Sequence, residues 1–335
     1  MSRSVLVVAH GGRPEAVHAG QEAVAALESA GLTPVTEAEL TPGTELMMVM
    51  VLGGDGTILR AAELTRGSGA PLLGFNLGHI GFLAESEREH IDEAVRRVAA
   101  GTYEVEERGT IDVRVMRPGE AIVHEWALND ATIEKANRSR MVEVVVEVDG
   151  RPLSSFGCDG VVMATSTGST AHAFSAGGPV VWPDVDAMLL VPVSAHALFA
   201  RPLVVGPSSV LAVEVSMRSV SEGVLSCDGR RTVVLPRGTR IEVRRGALPV
   251  RLARLSPAPF TDRLVSRFDL PVTGWRGRAP NGSSGSSGSS GPNGSSGPNG
   301  SSGSSGSSGP NGSSGPNGSS AAPGDGAGDP SGSGR

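Results

Sequence analysis

The residues best suited to chemistry lie in the turn Gly53-Gly54-Asp55-Gly56-Thr57, between the apolar run Met47 to Leu52 and the helical pattern Ile58 to Thr65. Glycine at 53, 54 and 56 lets the backbone come close to a phosphate chain and adopt positive φ, and the helix that follows opens with unpaired amides at its positive dipole end. Thr57 can cap that helix. Asp55 is the unusual member, because a carboxylate beside polyphosphate is repelled unless it holds a cation or takes a proton from a hydroxyl attacking phosphorus. Two other phosphate loops are excluded by spelling: no G-x-x-x-x-G-K-[ST] occurs, and Leu59 stands where a dinucleotide fingerprint needs its third glycine. Taken alone, such a strand-to-helix turn is as readily a plain turn.

A second constellation shifts that balance. From Thr165 to Pro179 the chain packs hydroxyls and glycines into one segment flanked by apolar strands, offering amides and hydroxyls to a polar ligand; the bland alternative is a long capped loop. Asn129 and Asp130 add an amide and a carboxylate within the strand-like Ala127 to Ile133. Buried polar groups need partners, and either a ligand or the backbone can supply them.

These residues require elements to position them. Val5 to Ala9, Met47 to Leu52 and Pro71 to Phe75 read as buried strands, alternating with helical patterns at Pro14 to Ala30, Ile58 to Thr65 and Ile91 to Ala100, which predicts a parallel sheet with crossover helices. From about Ile111 the period becomes alternating, as in Met141 to Val148, Val210 to Val215, Thr232 to Leu235 and Arg240 to Val243, so a mostly antiparallel β domain is expected. Residues 258–268 read as a late helix. The expected organisation is an α/β domain over 1–122, a β-sandwich over 123–257, a return segment over 258–278 and a disordered tail over 279–335. That tail carries glycine at every third position from Gly282 to Gly318 in Gly-Ser-Ser and Gly-Pro-Asn triplets, the composition of a flexible linker.

Composition narrows the partners. With 29 Lys+Arg against 35 Asp+Glu, the net charge is −6, and no basic block with interleaved aromatics marks a nucleic-acid surface. No apolar run approaches the ~20 residues of a membrane span, and Val5 to Ala9 is too short for a secretory core, so a cytoplasmic protein without membrane contact is expected. Cys158 and Cys227 form no CxxC pair and read as buried thiols. Without HExxH, the expected metal is a hard cation arriving with phosphate.

Several motifs occur in order: Gly-Gly-Asp-Gly-Thr at 53–57, Asn-Leu-Gly-His-Ile-Gly-Phe-Leu at 76–83, Leu-Asn-Asp at 128–130, Cys-Asp-Gly at 158–160, Thr-Gly-Ser-Thr-Ala at 167–171, Ser-Ala-Gly-Gly-Pro at 175–179 and Pro-Phe-Thr-Asp-Arg-Leu at 259–264. This series resembles the NAD kinases, specifically the actinobacterial type, over nearly all of residues 1–277. The first motif alone is shared with diacylglycerol and related lipid kinases, so a lipid or other small-molecule kinase is one alternative and a non-catalytic NAD(P)-binding regulator another. The resemblance implies an α/β domain plus a β-sandwich with the C-terminal helix returning to the first domain, and a homodimer or homotetramer. It implies transfer of a phosphoryl group to the 2′-hydroxyl of the adenosine ribose of NAD, with Mg²⁺ held through phosphates and ATP or polyphosphate as donor. By the same likeness, Asp55 is the general base and Gly53, Gly54, Gly56 and Thr57 form the phosphate-donor loop. NAD would contact Asp55, Gly56, Arg60, Asn129, Asp130, Arg140, Asp159 and the run Thr170, Ala171, His172, Ala173, Phe174 and Ser175. Three departures stand out: His172 replaces the usual Tyr, Ser166 the usual Pro, and Gly109-Thr110 a larger apolar residue.

Overall fold

Strand β1 (Ser4–Ala9) leads into α1 (Pro14–Ser29), whose start carries the proline that a first helical turn tolerates and whose end meets Gly31 at φ 69°. Then follow β2 (Thr33–Val35), β3 (Met48–Leu52), α2 (Asp55–Leu64), β4 (Leu72–Asn76), β5 (Ser86–Glu87), α3 (Ile91–Ala100) and β6 (Glu104–Arg108). This computed structural model describes residues 3–77, 81–84, 86–87, 90–117, 119–256 and 259–272. The tail at 279–335 and the middle of the 76–83 motif (Gly78, His79, Ile80) lie outside the described residues.

The first sheet runs β2-β1-β3-β4 in parallel. Its continuous apolar strands are what two covered faces demand. In β3, Met48, Met50 and Leu52 pack with Leu73 and Phe75 beneath α1 and α3. Val49 and Val51 face the other way, with Leu6 and Val8, onto Ile58, Leu59, Ala61 and Ala62 of α2.

The chain then builds two six-stranded antiparallel sheets. The first comprises β7 (Ile111–Met116), β8 (Val123–Ala127), β10 (Val142–Val148), β11 (Arg151–Cys158), β15 (Leu211–Val215) and β18 (Arg240–Arg245). The second comprises β9 (Asp130–Lys135), β12 (Gly160–Thr165), β13 (Met188–Val193), β14 (Leu203–Val205), β16 (Gly223–Cys227) and β17 (Arg231–Leu235). Val113, Val144 and Ile241 from one sheet meet Ile133, Met163 and Leu225 from the other in a single core, which makes a sandwich.

Two strands cross the expected domain limits of 122 and 257. Ile111, Val113 and Val115 alternate inward, so β7 belongs to the sandwich, whereas β19 (Val250–Arg254) returns to the first sheet between β4 and β6. Helix α5 (Phe260–Phe268) follows, and among the described residues no helix is long and apolar enough to cross a membrane.

Gly160 opens β12 at the centre of the second sandwich sheet, where an added Cβ would lie 2.5 Å from the Ile133 carbonyl oxygen. Gly160→Ala therefore forces backbone apart and is expected to cost about 1–3 kcal/mol. A lower denaturant midpoint with an unchanged m-value is the expected reading; an unmoved midpoint would mean the strands separate freely.

Candidate functional site

In the order β2-β1-β3-β4, the connections from β1 and β3 leave in opposite directions, placing α1 and α2 on opposite faces. The carboxyl ends of these two strands therefore frame a crevice, the place where ligands of open α/β sheets collect. A cleft of about 550 Å³ occupies it, lined by His10, Arg13, Gly54, Gly56, Thr57, Asn76 and Arg230 among others. Three lining cations, Arg13, Arg60 and Arg230, together with the opening amides of α2, make it a setting for phosphates.

Gly53 has φ 156° at the strand exit, and an added Cβ would lie 2.4 Å from Thr57 Oγ1. Its amide donates to the Phe75 carbonyl (3.0 Å), so it is spent on tying β3 to β4. Asp55 is the first residue of α2, half-buried, and its carboxylate leaves the crevice to lean on the 81–83 loop. There Phe82 N–H donates to Oδ2 and Leu83 N–H to Oδ1, each at 3.1 Å. Gly81 is needed for this approach, because a Cβ on it would sit 2.2 Å from Asp55 Oδ1. Each oxygen keeps acceptor capacity after one amide bond. Arg60, about one and a half turns further along α2, pairs with Glu37.

The other half of the site is a corner. Between β8 and β9 the chain steps from one sandwich sheet to the other, leaving the amides of 128–130 without ladder partners on that side. Asp228 caps them: its carboxylate accepts from Leu128 (2.9 Å), Asn129 (2.7 Å) and Asp130 (3.3 Å). It does so from the turn between β16 and β17, at φ 53°, a conformation that Asp tolerates better than most residues. Thr165 closes the corner from above, donating to the Leu128 carbonyl (2.6 Å) and accepting from Gly168 N–H (3.0 Å). Gly168 lies so close that a Cβ would come within 1.9 Å of the Asn129 oxygen.

Most hydroxyls of the 165–175 run thus serve the loop itself. Ser169 exchanges bonds with Val181, and Ser166 donates to the Val185 carbonyl. Ser166 has φ −57°, which proline also adopts, so the substitution keeps the backbone and adds a donor. Helix α4 (His172–Ser175) then presents His172, Phe174 and Ser175 to solvent. Asp130 is 6 % exposed and accepts from Thr132 Oγ1 (3.0 Å), which lies 3.3 Å from His172 Nδ1.

Several contacts bring the halves together. Leu128 buries in the same apolar cluster as Ile58, Leu59 and Leu83. Arg66, just beyond α2 (4.0 Å), and Arg231 (4.7 Å) both lie over the Trp126 ring, and Arg231 also reaches Asp228. Rings of α5 join the rest: Phe268 lies 5.8 Å from Phe82 and 4.6 Å from Phe174, and Phe260 lies 5.3 Å from Trp182.

Asp159 and Arg140 are not part of this cluster. Asp159 precedes β12 and pairs with Lys135 (2.5 Å) at the far end of β9, roughly 17 Å along the strand from Asp130. Arg140 lies exposed in the turn leaving that same end. Conversely, sequence reasoning passed over His10, Arg13 and Arg230, which line the crevice, and Asp228, which shapes the corner. His10-Gly11-Gly12 directly after a buried strand was a usable signal; for Arg230 and Asp228 only tertiary proximity reveals the role.

Comparison with known proteins agrees over both parts. Residues 5–103 match the ATP-NAD kinase N-terminal domain and residues 128–255 the ATP-NAD kinase C-terminal domain. An NAD kinase of Leifsonia xyli is 61% identical over 296 residues, covering 82% of this chain and 97% of its own length. NAD kinase 2 of Streptomyces coelicolor is 57% identical over 293 residues, with coverage of 82% and 97%. Among solved structures, yeast NADH kinase complexed with NADH has a TM-score of 0.74 at 22% identity, covering 81% of this chain and 89% of that one. An Archaeoglobus fulgidus NAD kinase in complex with ATP has a TM-score of 0.64 at 23% identity, covering 81% and 100%. These two likenesses concern the fold.

Burial pushes the Asp130 carboxyl up to about 6, with Thr132 pulling down and the nearby Asp228 charge pushing up. Asp228 is raised as well, burial outweighing its three amides and Arg231. A raised carboxyl binds its proton more tightly folded than unfolded, so this contribution to stability is lost as pH climbs from about 4 to about 6. Above that range the ionised Asp130 costs about 3 kcal/mol. Asp130→Asn is expected to flatten stability across this window, read as unfolding midpoints from pH 4 to 7; equal slopes in the two proteins would assign the titration elsewhere.

Proposed function

As the chain belongs to the NAD kinase family and is a phosphotransferase of that kind, we propose that Asp55 is the general base that directs the adenosine ribose 2′-hydroxyl of NAD at a donor phosphate. The observation carrying this reading is the position of its carboxylate, anchored by the Phe82 and Leu83 amides. In support, the crevice lined by Gly54, Gly56 and Thr57 adjoins it in the chain, and Leu128, the residue before Asn129 and Asp130, packs with Ile58, Leu59 and Leu83.

The donor, ATP or polyphosphate, would lie along Gly54, Gly56 and Thr57 with Arg13 and Arg230 close to its charges. Backbone amides and guanidinium groups recognise phosphate oxygens without reading a base, so both donors suit this wall. Mg²⁺ would enter on the donor's phosphate oxygens and neutralise charge there, as a hard cation with oxygen ligands does. Asp55 would accept the ribose proton as the oxygen–phosphorus bond forms, its own orientation already set by two amides.

Asn129, Asp130 and the Thr170 to Ser175 run would hold the dinucleotide, with His172 or Phe174 stacking on a ring. Asp159 and Arg140 stand at the opposite end of β9, apart from this group, and the enzyme would assemble as a homodimer or homotetramer. We place the enzyme in the cytoplasm, where its two buried thiols, pushed up to about 12 by burial, stay protonated.

The test is incubation with NAD, Mg²⁺ and either ATP or polyphosphate, with NADP detected by an NADP-specific dehydrogenase. Asp55→Asn is expected to lower kcat by roughly 10²–10⁴-fold while NAD binding, followed by calorimetry, persists. Retention of kcat in that variant would falsify the base assignment.

A further inference from the structure

Beside the Asp55 loop, on the α2 face of the first sheet, lies a charged cluster that the scheme above does not use. Glu104, Glu106 and Arg108 alternate onto one face of β6, and Val250, Leu252 and Arg254 onto the same face of β19, because Glu106 pairs with Leu252. Glu106 Oε1 meets Arg108 Nη2 at 2.8 Å, and Glu106 Oε2 accepts from Arg254 Nε at 2.7 Å. Both arginine side chains are nearly buried, 5% and 7% exposed, next to an apolar cluster that includes Leu83, Val250 and Leu252.

The outer ends of this cluster reach the two halves of the site. Arg254 Nη1 donates to the Leu83 carbonyl at 3.2 Å, on the residue whose amide holds Asp55 Oδ1 at 3.1 Å. Arg108 Nη1 donates to Thr167 Oγ1 at 3.4 Å, in the loop that leads into Thr170 to Ser175. A continuous path of hydrogen bonds and ion pairs therefore runs from Asp55 through Leu83, Arg254, Glu106 and Arg108 to Thr167.

Two buried guanidinium groups sharing one carboxylate are a poor device for stability, since apolar residues of similar volume often hold a fold as well or better. They are a good device for direction. A guanidinium is a rigid fork that fixes two acceptors relative to one another. Burial alone would raise the Glu106 carboxyl, but Arg254 and Arg108 outweigh it and hold it below the ordinary carboxylate range, so it stays charged.

We propose that Arg254, Glu106 and Arg108 are positioning residues that set the Asp55 carboxylate relative to the 167–175 loop. This inference rests on the reading of Asp55 as the base.

Arg254→Lys keeps a charge beside Glu106 but lacks the fork that also spans to the Leu83 carbonyl. The triple variant Glu106→Leu, Arg108→Met, Arg254→Met removes every buried charge of the cluster and is built to fold. With full-length protein, both are expected to lose roughly 10- to 100-fold in kcat, the effect of a small misplacement of a reacting group. The KM for NAD should stay within about threefold and the thermal midpoint close to that of the parent, which separates positioning from general damage. A folded triple variant with the parent's kcat overturns the proposal, as does Arg254→Lys with undiminished kcat. Asp55→Asn run alongside separates the two readings. Loss of kcat there with none in the cluster variants sinks the relay alone, whereas retained kcat in Asp55→Asn removes the base on which the relay would act.

Discussion

Two backbone amides fix the one acid of the Gly53–Thr57 turn. Those of Phe82 and Leu83 grip the Asp55 carboxylate at the first turn of α2, and Gly81 leaves the space for the grip. A carboxylate at that position would otherwise rotate freely at the mouth of the crevice. Held sideways, it leans on the 81–83 loop, whose Leu83 packs in the same cluster as Leu128 of the sandwich corner. The parallel sheet supplies the framework, because only where α1 and α2 part to opposite faces does the backbone of one loop lie open on both sides.

The sandwich solves a different problem at the same place. Its chain changes sheets between Ala127 and Asp130, and a change of sheet strands backbone amides that burial makes costly to leave unpaired. One side chain, Asp228, takes three of them. Gly168 and Thr165 then press the 165–175 loop onto the corner, so that what faces outward is short: Thr170, His172, Phe174 and Ser175. The hydroxyls of that loop mostly serve its own hydrogen bonds, and only a small remainder faces outward.

Rigidity between the two halves comes from mixed contacts. An apolar plug at Leu128, a tryptophan ring carrying two guanidinium groups, the Arg230–Glu63 pair and the aromatic chain through α5 tie first-domain and sandwich residues together at separate points. Phosphoryl transfer needs its two substrates and its base aligned, and little covalent participation by the protein, so such bracing belongs to the mechanism as much as to the fold.

Local pattern was enough to read much of this in one dimension. Helix α3 follows from apolar spacing alone, β3 from an uninterrupted apolar run, and the turn into α2 from glycines around one acid. These are properties of neighbours in the chain, where period 3.6 and period 2 are distinguishable without knowing what packs where. The strand assignments of β7 and β19 were less accessible, since five or six apolar-alternating residues do not say which sheet will receive them. The same holds for sites: Asp55, Asn129 and Asp130 announce themselves as acids and amides in apolar company. Asp228, Arg230 and the Glu106 cluster gain their roles only from partners about 100 residues away or more. Asp159 shows the converse, a motif residue that a strand of five steps carries away from the others. Side-chain type and spacing govern which chemistry is on offer, whereas long-range pairing governs which groups share a point in space, because hydrogen bonds and burial act over a few ångströms and take no account of distance along the chain.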